Sequence, residues 1–130
     1  MRRLSNIRWL AGVVLLVLVA VGSLFVFRRV NERTEIRNSS GQTITNVVLE
    51  LCDIQTAWSV TKSVRALRPG ESVRVYHTHR DTKAVVTFAL AGRKLRHDEA
   101  YIDLWTGEGW RFDIQPDGTV ASGYDSSHRH

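Results

Sequence analysis

The chain changes its hydrophobic pattern once, near residue 30. From Trp9 to Phe27 it runs 19 residues without a charge, and Ser23 is the only hydroxyl among them. As a helix this run rises roughly 28 Å, about the thickness of a bilayer's hydrocarbon core. Arg8 bounds it on one side, Arg28 and Arg29 on the other, and Trp9 and Phe27 stand where interfacial aromatics are favoured. A cleaved signal peptide turns polar before its cut. Here Leu24, Phe25, Val26 and Phe27 prolong the apolar run instead. The pattern predicts a basic flank over residues 1–8 and an uncleaved transmembrane helix over 9–27. Arginines stand on both flanks, so the positive-inside rule does not set the orientation. The basic-then-apolar start resembles a signal-anchor, which leaves the N-terminus cytoplasmic and the rest extracytoplasmic, periplasmic in a Gram-negative cell.

Residues 28–34, "RRVNERT", read as a juxtamembrane linker, and the pattern then switches to period two. "TEIRN" runs into the turn "SSGQ". "TITNVVLELC" aligns Thr43, Thr45, Val47, Leu49 and Leu51, and "WSVTKSVRAL" aligns Trp58, Val60, Val64 and Ala66. "RPGE" suits a type II turn. "SVRVYHT" turns Val73 and Val75 inward, "AVVTFALAG" does the same with Ala84, Val86, Phe88 and Leu90, and "EAYIDLW" with Ala100, Ile102 and Leu104. "WRFDIQ" alternates most regularly, then "PDG" turns the chain and "TVA" offers a last short strand. About seven strands with one apolar face each predict an all-β domain over 35–121, a small antiparallel β-sandwich, followed by a polar tail over 122–130. The architecture resembles immunoglobulin-like and fibronectin-like sandwiches, without the cysteine pair of true immunoglobulin domains.

Charge and cysteine content narrow the possibilities. The net charge is +5, but Arg2, Arg3, Arg8, Arg28 and Arg29 account for all of it; beyond residue 30 there are 13 basic and 13 acidic residues. The basic balance therefore belongs to the anchor's contact with lipid headgroups, and the domain carries no electrostatic footprint for nucleic acid. Cys52 is the single cysteine, so no disulfide within the chain is possible, and its apolar run predicts a buried position.

No nucleophile elbow, phosphate loop, dinucleotide fingerprint or His-Glu-x-x-His motif is present, which predicts a protein that is not an enzyme and needs no cofactor. "HDE" at 97–99 reads as a solvated loop. Asn38 to Ser40 match a glycosylation sequon, relevant only to a luminal domain in a eukaryote, and read first as a plain turn. His77 and His79 are two apart, so on a strand they share a face and offer an alternative reading as a metal pair, with His97, His128 and His130 as further donors. In "AYIDLW" an inward Ile102 and Leu104 leave Tyr101, Asp103 and Trp105 outward, beside the Gly-rich "TGEG". Exposed Tyr and Trp of this kind form protein-binding patches. The sequence thus predicts a single-pass, membrane-anchored sandwich that binds a protein partner through Tyr101, Asp103 and Trp105, in an assembly, adaptor or inhibitory role.

Overall fold

Period-two alternation becomes eight strands in the computed structural model, which describes residues 2–30, 32–105 and 107–125. Two units result, residues 1–30 and 31–130. The first is α1, Arg2–Val30. Its stretch Ile7–Phe27, with mean hydropathy 2.9, is long and apolar enough to cross a membrane. Apolar side chains point outward all round it, and no face is reserved for water.

The second unit holds β1 (Glu32–Asn38), β2 (Ile44–Asp53), β3 (Ser59–Leu67), β4 (Ser72–His77), β5 (Asp81–Leu90), β6 (Arg93–Asp103), β7 (Gly109–Ile114) and β8 (Val120–Tyr124). Two four-stranded sheets form, in the orders β4-β1-β7-β8 and β3-β2-β5-β6. Their apolar faces make one core around Ile36, Ile44, Leu49, Phe88, Ile102, Leu104, Phe112 and Ile114. Each sheet covers the other's apolar face, the sandwich that one-sided alternation requires. Every strand pair is antiparallel except β1 with β7, where Arg33 to Asn38 run parallel to Gly109 to Ile114.

Two irregularities move side chains off strict alternation. In β2 the register shifts between Thr45 and Val48, and Asn46 takes φ 51°. This bulge turns Ile44 inward and leaves Thr43 and Thr45 exposed, against the alternation expected there; Val47, Leu49 and Leu51 keep their inward places. In β3 it is Leu67, paired with Ile44, that is buried, while Ala66 is exposed. The second shift lies between Thr82 and Ala84 of β5, where Ala100 and Tyr101 of β6 stand opposite Lys83. Leu95, His97 and Glu99 lean inward before it and Ile102 lies inward after it, so Ala100 is pushed out to solvent. Strand β6 also starts earlier than its sequence suggests. Ala91 (φ 51°) and Gly92 (φ 77°) make the tight two-residue hairpin turn, and "HDE" lies within the strand, not in a loop.

Asn38 is fully buried: its side-chain amide donates to the carbonyls of Gln42 (2.7 Å) and Leu67 (2.8 Å), and its side-chain oxygen accepts from Ser40. The sequon is a structural turn whose amide is already in use. Cys52 is half-buried, not buried.

A group of buried charges joins β1 to the residue after β8. Arg33, from the stretch read as linker, pairs with Asp125, from the stretch read as tail, at 3.3 Å, and their side chains are 4% and 2% exposed. Arg111 reaches Asp125 at 2.7 Å and Glu35 at 3.6 Å, and Arg74 reaches Glu35 at 3.3 Å. The network lies on the outer face of the first sheet and ties β1 to β4, β7 and the residue after β8. Gly109, paired with Arg33, leaves the space: a Cβ there would stand 2.8 Å from Arg33 Nε.

A buried charge left alone is costly. Asp125→Ala is predicted to lower unfolding free energy by about 3–5 kcal/mol, read by urea denaturation, whereas Arg33→Met with Asp125→Leu recovers most of the loss. Equal losses in both variants would mean that packing, not charge pairing, holds this corner.

Candidate functional site

Loops meet at two opposite ends of the sandwich. β1 begins at what we call the proximal end. There too lie the β2–β3 loop (54–58), the β4–β5 loop (78–80), the β6–β7 loop (104–108) and the C-terminal end of β8. The distal end carries the β1–β2, β3–β4, β5–β6 and β7–β8 turns.

Tyr101, Asp103 and Trp105 all come to the proximal end and all face outward, as their spacing predicts. Tyr101 is 57% exposed and Trp105 66%. The bulge opposite Lys83 sets this phase, because without it the inward Glu99 would turn Tyr101 into the core. The Tyr101 hydroxyl donates to Asp81 Oδ1 at 3.1 Å. That bond to a carboxylate, then partial desolvation, then the charge of Asp103, raises the phenol's pKa above its ordinary value. Asp81 lies directly opposite Asp103 across β5 and β6, two like charges side by side. Asp81 also accepts from Gln55 Nε2 at 3.2 Å. Trp105 is held by its backbone: its N–H donates to Glu108 Oε2 (2.8 Å) and its carbonyl accepts from the Glu108 N–H (3.0 Å).

Two neighbours escape a reading by alternation. Ile54, 50% exposed, is the first residue after β2, and its N–H donates to the Asp81 carbonyl. Tyr124, 54% exposed, belongs to β8 and not to a frayed tail. Its hydroxyl donates to the Asp103 carbonyl at 3.0 Å, and its ring meets Trp110 edge-on at 5.1 Å. An aromatic in a polar C-terminal stretch was the only available signal for Tyr124.

The histidines take other roles. His77 ends β4 and is buried, with Nε2 3.1 Å from Thr34 Oγ1, and burial lowers its pKa. His79 lies in the following loop. Its Nδ1 is 2.6 Å from Asp53 Oδ2, and its ring stacks on Trp58 at 4.1 Å. Asp53 also accepts from the backbone N–H groups of Gln55 and Thr56. The Gln55 bond, then His79, lowers its pKa. His97 meets Phe112 edge-on and sits 3.3 Å from Glu99. Each of these rings is engaged locally. Among the described residues, no group of three or more His, Cys, Asp or Glu side chains is placed to hold a metal ion. His128 and His130 lie outside the described residues.

No protein-family model and no curated protein sequence matches the chain. Solved structures with a similar course of strands include three of low identity. A protein from Eubacterium rectale, solved by NMR, is 10% identical, with TM-score 0.46, over 77% of this chain and 93% of that one. A putative cell adhesion protein from Bacteroides ovatus is 7% identical, with TM-score 0.48, over 75% of this chain and 43% of that one. Listeriolysin O is 9% identical, with TM-score 0.40, over 73% of this chain and 22% of that one. The chain thus spans less than half the length of the last two.

The buried His77 gives the domain an acid limit. Folding favours its neutral form, while the unfolded chain takes up the proton near the ordinary value of 6.5. Below that pH the unfolded state holds more protons, so stability falls with falling pH until the folded ring titrates as well. The melting temperature is predicted to hold above about pH 6.5 and to drop below it, and His77→Phe flattens the drop. A drop as steep in His77→Phe would place the titration elsewhere.

Proposed function

We propose that the chain is a single-pass membrane protein whose α1 anchors a non-enzymatic β-sandwich outside the cytoplasm, where the sandwich binds a protein partner. The observation that carries this reading is the exposed aromatic and acidic surface at the proximal end, with Tyr101 and Asp103 at its centre and Trp105 at its edge. Large aromatic side chains left in water cost hydrophobic free energy unless something covers them, and Tyr and Trp dominate the energetic centres of protein interfaces. The carboxylates of Asp81 and Asp103, opposite each other, add a charge preference for a cationic group on the partner.

Tethering is part of the mechanism. A domain held to the bilayer searches a thin layer and not a volume, so a modest contact becomes an effective one for a partner in the same membrane. That suits assembly of a membrane complex, or neutralisation of a protein that arrives at the envelope. The anchor's arginines supply contact with lipid headgroups.

Full-length protein is extracted from its native membranes in mild detergent, beside a Tyr101→Ala, Asp103→Ala variant. A stoichiometric protein partner is expected with the parent chain and lost with the variant, while the melting temperature stays within a few degrees. A partner retained by the variant, or no stoichiometric partner with either chain, contradicts the reading. A collapse in melting temperature would make the two side chains structural.

A further inference from the structure

The apolar surface of the sandwich is not distributed evenly. Among the described residues, its exposed large hydrophobic side chains are Ile54, Tyr101, Trp105 and Tyr124, and all four lie at the proximal end. The distal turns at 39–43, 68–71, 91–92 and 115–119 contain no large apolar residue. Chance placement would scatter such residues, as on ordinary surfaces.

The covalent chain fixes what lies near that end. One residue, 31, separates Val30 at the close of α1 from Glu32 at the start of β1. Two Cα steps span at most about 7 Å. The apolar stretch ends at Phe27, and three further helical residues add about 4.5 Å. If α1 spans the bilayer, β1 therefore starts within roughly 12 Å of the hydrocarbon boundary. The headgroup layer on each side is about 5–7 Å thick. The β4–β5 and β6–β7 loops adjoin that strand end through the pairs Glu32 with His77 and Arg33 with Gly109.

Resting on the reading of α1 as a membrane anchor, we infer that Ile54, Trp105 and Tyr124 seat the proximal end of the sandwich in the headgroup layer of the bilayer. Trp and Tyr favour this layer because an apolar ring and a polar edge are both satisfied there. The two loop residues are the deepest contacts: Ile54 leaves β2 and Trp105 lies two residues beyond β6. Tyr101 stands back from them. It lies within β6, two residues before the strand's end, whereas Trp105 lies past it in the loop. Beside Tyr101 the carboxylates of Asp81 and Asp103 offer a cationic group on the protein partner a place to bind. Lipid contact at the loop tips limits the tilt of the domain and sets the height at which Tyr101 and Asp103 meet the partner.

The test uses the full-length chain in phosphatidylcholine nanodiscs, in a Cys52→Ser background. Nitroxide labels are placed by Ile54→Cys, Trp105→Cys, Asp117→Cys at the distal end, and Val17→Cys within α1. Accessibility to oxygen, which partitions into lipid, is compared with accessibility to a water-soluble nickel chelate. The labels at 54 and 105 are expected to be several-fold less accessible to nickel than the label at 117, and more accessible to oxygen. If 54 and 105 match 117 while 17 is lipid-buried, the inference is overturned and the anchor reading stands. Protection of 54 and 105 that appears only after a protein partner is added overturns it as well. If 17 is open to nickel, the anchor reading falls and the inference falls with it.

Discussion

The buried pair of Arg33 and Asp125 joins the first strand of the domain to the last residue described, and much of the proximal end depends on it. β1 lies between β4 and β7 in its sheet, so the strand that follows α1 is an interior strand and not a loose edge. Its outward side chains, Arg33 and Glu35, are charged yet 4% and 2% exposed. Burial of such groups is costly without opposite charges, which Arg74, Arg111 and Asp125 bring from β4, β7 and the end of β8. The network turns a seam between the chain's two ends into a fixed corner.

That corner has a mechanical consequence. A force applied to the chain ahead of the domain enters the sheet at β1, which is hydrogen-bonded on both sides, antiparallel to β4 and parallel to β7. One residue separates α1 from β1 along the chain. Among the described residues, the sandwich's exposed large hydrophobic side chains lie at the end where β1 begins. Polar distal turns complete the asymmetry.

Periodicity made the sandwich legible, because an alternating strand reports one buried face directly. It carried Val86, Phe88, Phe112 and Ile114 to their places and set Tyr101, Asp103 and Trp105 outward. It failed at the bulges, where one extra residue reverses the phase: Thr45 and Ala100 were expected inside and are exposed. It also failed for charged strands. "ERTEIRN" and "RKLRHD" carry too many charges to look buried or paired, so β1 appeared to begin late and β6 later still. Their place depends on partners far along the chain, Asp125 for Arg33 and β5 for β6, and no local pattern contains that information. The same reason kept Tyr124 hidden in a polar tail. The histidines at spacing two both lie against Trp58, and each has its own polar partner, Thr34 for His77 and Asp53 for His79, which no spacing rule contains.

The account stands on α1 remaining attached as a bilayer-spanning anchor. The most direct measurement is the intact mass of the protein recovered from native membranes after an alkaline carbonate wash. The account predicts the uncut chain in the membrane pellet, with residues 7–27 present. A soluble chain that begins beyond residue 27 would contradict it, because the domain would then have no tether and its aromatic end no fixed neighbour.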